Sequence, residues 1–122
     1  MFEAEALDTF RYLANYQIMT SVFKALADPT RRQVLQMLRA GPMGAGALAD
    51  AFDVSKPTMS AHFAVLAAAD LIEAEKSGRA IVYRLKMSVL EEALMGFAQA
   101  FGLQVTPESP ATTTRRRFKE KP

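Results

Sequence analysis

The sequence predicts a mainly α fold carrying one small β-hairpin. Three observations lead there. Apolar residues recur at helical spacing through most of the chain, a helix-turn-helix pattern occupies residues 47–69, and two short strands follow around Ser77-Gly78-Arg79. A helix-turn-helix running directly into a hairpin is a winged helix. At 122 residues there is room for one compact domain and not for two. The expected division is a folded domain over 1–105 and a disordered tail over 106–122.

The first helix is expected from Ala4 to Ile18, where Phe2, Ala6, Phe10 and Leu13 mark one face. Val22 to Leu26 continues helically until Asp28-Pro29. That dipeptide restarts a helix, since Asp28 can cap it and Pro29 has no N–H to lose in the first turn. The new helix covers 29–40, buries Val34, Leu35 and Leu38, and stops at Gly41-Pro42. Gly44-Ala45-Gly46 is poor helix material, so the next short helix is placed at Ala47 to Phe52. A last helix spans 87–102.

Ala49, Asp53 and Met59 have the spacing of a helix-turn-helix: a small residue at the crossing, a turn residue tolerant of positive φ, and an apolar lock. Ser55 is placed to cap the second helix, Lys56–Ala69, through the amide of Thr58, because Pro57 carries no N–H. Met59, Phe63 and Leu66 form its buried face. The opposite face holds Pro57, Ala61, Ala64 and Ala68, with Ser60 and Val65 at its margins and no carboxylate. Short side chains without negative charge fit close approach to an anionic partner. An alanine-rich helix of high propensity gives the same composition, so the face alone leaves both readings open.

Asp28-Pro29-Thr30-Arg31, Leu48-Ala49, Val54 to Leu66 and Gly78-Arg79-Ala80-Ile81-Val82-Tyr83-Arg84-Leu85, in that order, resemble the ArsR family of bacterial transcriptional repressors. The resemblance covers roughly residues 20–102. Within the family the chain is most similar to the metal-independent, SdpR-type branch. It implies a homodimeric repressor, with autorepression as a candidate role, that sets one recognition helix per subunit into the major groove of a pseudo-palindromic DNA operator. Lys56, Pro57, Thr58, Ser60, Ala61 and His62 are then the recognition-helix residues at the DNA. Lys56 and the hydroxyls suit phosphates or base edges, and Ala61 suits a thymine methyl. Ser77, Gly78 and Arg79 form the wing, with Arg79 either reaching DNA or left as a solvated turn residue. His62 is read as structural or phosphate-facing, and Arg31 as the partner in a structural ion pair, with Asp28 the candidate.

Composition removes other classes. There is no cysteine, so disulfides, thiolate metal sites and cysteine chemistry are unavailable. The single histidine, His62, leaves no catalytic dyad, and Ser60 two residues away on one helix points elsewhere. No enzyme activity, cofactor or metal is expected; Glu91 and Glu92 are adjacent on a helix and diverge. Met37 and Met59 lie on core stripes, with packing as their role. No apolar run reaches membrane-spanning length and the N-terminus lacks a basic signal region, so the expected location is the cytoplasm. The formal charge of +2 is uneven. From Thr106 onward there are five basic and two acidic residues, leaving ten basic and eleven acidic before it. The tail should add affinity for any duplex and little specificity.

In the last helix Leu90, Leu94, Phe97 and Phe101 step by four, three and four, with Met87 and Ala98 alongside. Together with Phe2, Phe10 and Leu13 at the other end, they form apolar faces larger than one small core can cover. The expectation is a homodimer joined through both terminal helices; packing on the same domain alone is the other possibility. A dimerising module that binds protein rather than DNA is the competing function. Salt-sensitive DNA binding separates the two. The sequence names no small-molecule effector.

Overall fold

The computed structural model describes residues 2–104, with the side chains of residues 2–5, 12, 14 and 15 outside that description. The expected tail and the side chain of Phe2 therefore lie outside it. In chain order the elements are α1 (Phe2–Leu26), α2 (Pro29–Leu38), β1 (Met43–Gly44), α3 (Ala45–Asp50), α4 (Lys56–Ala68), β2 (Ile72–Ser77), β3 (Ala80–Leu85) and α5 (Met87–Ala100). The three strands form one antiparallel sheet in the order β1-β3-β2.

Helix α1 is a single 25-residue element, without a break between Ile18 and Val22. Its described side chains from Ala6 to Ile18 are all exposed, and only Val22 and Ala25 are fully buried. The helix thus enters the core by its last turns alone. Two arginines from α2 close that end. Arg31 donates to the carbonyls of Ala25 at 2.7 Å and Lys24 at 3.0 Å, and Arg32 donates to Leu26 at 2.7 Å. Carbonyls of a last turn lack i+4 amide partners, Lys24 keeping only a 3.3 Å bond from the Ala27 amide, and cations suit the negative pole of the helix dipole. The ion pair expected between Arg31 and Asp28 does not form, because the guanidinium is spent on these carbonyls.

Asp28 instead caps α2 as the sequence predicts, its Oδ1 accepting from the amides of Thr30 at 2.8 Å and Arg31 at 3.2 Å. Partial burial pushes its carboxyl pKa up, but the two amide bonds, with electrostatic attraction to His62 and then Arg31, outweigh that and hold it below the ordinary 3.8. A carboxylate lowered by folding stabilises the protein above its unfolded value, and the benefit is lost as pH falls through the native value. Asp28→Asn keeps a capping oxygen but not the charge. It should melt below wild type at neutral pH and converge with it as pH falls below the native carboxyl's range in paired thermal scans. A constant gap across the range would contradict the assignment.

The core gathers Val34, Leu35 and Leu38 of α2, Leu48 of α3, Met59, Phe63 and Leu66 of α4, with Leu71, Ile72 of β2 and Ala93 of α5. All the core residues expected from helical spacing in α2 and α4 are among them. Met37 packs against this cluster from its edge. Among the described residues no polar or charged side chain is fully buried.

Two local expectations are corrected, and one element is added. The short third helix begins at Ala45, two residues earlier than placed, and ends at Asp50; Ala51 and Phe52 only close its last turn onto Leu48 and Ala49. Strand β1 was not foreseen, since two residues carry no periodicity; it exists because Met43 and Gly44 pair with Tyr83 and Val82. Asp53 does not take positive φ. Among the described residues other than glycine, the left-handed one is Asp70 at φ 62°, just past α4. There the amide of Leu71 bonds to Leu66 and that of Asp70 to Ala67, each at 3.0 Å, a Schellman closure that turns the chain sharply into the wing. The turn between α3 and α4 needs no such step because it is spread over residues 51–55.

Candidate nucleic-acid interface

Helix α4 is fixed at its start by Ser55, whose Oγ accepts from the Thr58 amide at 3.3 Å and lies 2.8 Å from Thr58 Oγ1. Pro57 sits in the first turn, where its missing N–H is harmless. Met59, Phe63 and Leu66 anchor the inner face. The helix can therefore neither roll nor slide, and its outer face is set by default. Lys56, Pro57, Thr58, Ser60, Ala61, Ala64, Val65 and Ala68 are all exposed along it. Between Val54 and Ala69 there is no carboxylate.

The wing is held to this helix by aromatic contact. The rings of Phe63 and Tyr83 lie 4.9 Å apart at 41°, so the inner face of α4 and strand β3 pack as one body. Ser77 pairs with Ala80, leaving Gly78-Arg79 as a two-residue turn. Gly78 takes φ 65°, a conformation that glycine adopts without steric cost at the first position of such a hairpin loop. Arg79 stands exposed at the tip, with no hydrogen bond or ion pair among the described residues. Across the strands Arg84 meets Glu75 at 3.2 Å in the open, a pair that contributes little to stability. At the wing's base Lys86 donates to Asp70 at 2.9 Å. That bond raises the Lys86 pKa, against the smaller opposing effect of desolvation.

A family model for a helix-turn-helix domain matches residues 26–75. The ArsR-like transcriptional regulator from Rhodococcus sp. RHA1 superposes with a TM-score of 0.65 at 30% identity, over 88% of this chain and 93% of that one. The transcriptional repressor SdpR of Bacillus subtilis (strain 168) is 42% identical over 76 residues, which are 62% of this chain and 84% of the repressor. The chain belongs to the ArsR family. A homodimeric winged helix-turn-helix DNA-binding domain from Mycobacterium bovis, itself a possible ArsR-family transcriptional regulator, is also similar, with TM-score 0.61 and 29% identity over 74% of this chain and 85% of that one.

This ArsR-family regulator brings the two expected sets of site residues onto one rigid unit. Recognition-helix residues Lys56, Pro57, Thr58, Ser60 and Ala61 are exposed, as are wing residues Ser77, Gly78 and Arg79. His62 differs: it is half-buried, and its Nδ1 lies 3.3 Å from Arg31 Nη1. No spacing rule links residues 31 positions apart, so this contact was invisible in the sequence. Of the residues expected at a dimer interface, Phe10, Leu13, Leu94, Phe97 and Phe101 are exposed, Phe10 at 71% and Phe101 at 69%. Leu90 is half-buried against its own core. Phe97 also meets Phe23 of α1 edge-on, with ring centroids 4.9 Å apart, so part of the α5 face is used within the chain. Among the described residues no group of three or more His, Asp or Glu could hold a metal ion, and no helix is long and apolar enough to cross a membrane.

Proposed function

We propose that this ArsR-family chain acts in the cytoplasm as a homodimeric repressor, with α4 of each subunit in the major groove of a pseudo-palindromic operator and the wing on the flanking backbone. The supporting observation is the outer face of α4. It is exposed, short in side chain, free of carboxylates, and bounded by Lys56 at one end, with Arg79 free at the tip of the attached wing. Phosphate contacts from cations and hydroxyls would position the helix, and Ser60, Ala61 and Thr58 would meet base edges. The homodimeric character of the Mycobacterium bovis relative, and the exposed apolar residues on α1 and α5, support two copies per operator. No catalytic reaction is part of this reading.

Selection of bound duplexes from a randomised pool tests it. The recovered sequences should be two-fold symmetric, with half-site centres about one helical turn, ~10 bp, apart. Binding should weaken steeply as salt rises. A pool that yields no enriched sequence, with retention independent of salt, would favour a protein-binding module instead.

A further inference from the structure

Arg31, in the first turn of α2, uses its guanidinium in three directions. Nε and Nη2 hold the last carbonyls of α1, Ala25 and Lys24, while Nη1 points at Nδ1 of His62 on α4, 3.3 Å away. A guanidinium carries donors only and never gives up its charge. In that hydrogen bond Nδ1 is the acceptor, so the tautomer that fits the contact carries its proton on Nε2. Among the described residues Nε2 has no partner, and no buried side-chain nitrogen or oxygen lacks one. Nε2–H is consequently a solvent-reaching donor, carried on the helix whose neighbouring Ala61 is exposed and whose Phe63 is buried.

We propose that Arg31 is a positioning residue for DNA binding: it holds His62 in the Nε2–H form and directs that donor from α4 toward an operator phosphate. The proposal rests on the DNA-binding reading above. Arg31 need not touch DNA to do this. Its two bonds to α1 fix the guanidinium, and the fixed guanidinium sets both the ring's proton and its orientation. An N–H donor that is already aligned loses little freedom on meeting an oxyanion, and the bond it forms there is charge-assisted. Without Arg31 the ring can rotate and exchange its proton between the two nitrogens, so the donor is no longer held in place.

The test is a double-mutant cycle on the full chain, with Arg31→Met and His62→Ala, singly and together, against a duplex selected by the wild type. Each single change should weaken binding by about tenfold, and the double should be no weaker than His62→Ala alone. Additive losses, about a hundredfold in the double, would mean that Arg31 acts independently of His62 and would overturn the proposal. Full affinity of His62→Ala would overturn it as well. If Lys56→Ala with Arg79→Ala still loses binding in that case, the DNA-binding reading stands and only the positioning role falls. Nitrogen chemical shifts of His62 in the wild-type protein without DNA give an arm that needs no variant. They should show a bare Nδ1 and a protonated Nε2; a protonated Nδ1 rules the proposal out even if Arg31→Met fails to fold.

Discussion

Phe10→Glu combined with Leu94→Glu should turn the protein into a folded monomer with operator affinity reduced by about a hundredfold or more, the loss expected when two half-sites are no longer engaged together. Both side chains are exposed in the protomer, so neither charge intrudes on the intrachain core. Helical content should fall only in the outer turns of α1. At a dimer seam, by contrast, each glutamate would be stripped of water with no partner to offset the cost. Analytical ultracentrifugation reads the state directly. A variant that sediments as a dimer and binds normally would place the interface elsewhere. Phe97 is the poorer choice for this experiment, because its ring also packs on Phe23 and Phe101 and its loss would damage the protomer itself.

Lys56→Ala with Arg79→Ala should leave the melting temperature nearly unchanged while weakening binding to specific and random duplexes alike. If each residue meets one phosphate, the dimer loses four contacts. The slope of log affinity against log salt should then become shallower by roughly 3 to 4. Both side chains are exposed, and neither has a hydrogen bond or ion pair among the described residues, so the fold has nothing to lose. Unchanged affinity and slope would move the DNA face away from α4 and the wing tip.

The parts of this architecture that were readable in the sequence are those set by local chemistry. Ser55 and Asp28 announce two helix starts because a capping side chain bonds amides only two or three residues away. Met59, Phe63 and Leu66 announce the inner face of α4 because a helix repeats within four residues. What escaped is what depends on distant partners. Strand β1 exists only by pairing with β3, and the hydrogen bond between Arg31 and His62 links elements that have no common period. The left-handed residue was expected at Asp53 and found at Asp70, since two aspartates look alike until the closure of α4 onto Leu66 and Ala67 shows which one the chain must bend at. At the site itself, the exposed face of α4 was legible, whereas the half-buried setting of His62 was not.

The long overhang of α1 has a consequence for how such a protein responds to its own abundance. Among its described residues, the only side chains of that helix fully buried in the protomer, Val22 and Ala25, lie in its last turns. In the proposed dimer the free energy that orders the remainder comes from a second copy, so it follows the law of mass action. Resistance to unfolding then increases with total protein rather than being a constant of the sequence. Where chains are scarce and dimers few, occupied operator varies as the square of the chain concentration. A tenfold dilution would thus cut occupancy by about a hundredfold. An uncovered helix face in the protomer becomes, in the cell, a threshold.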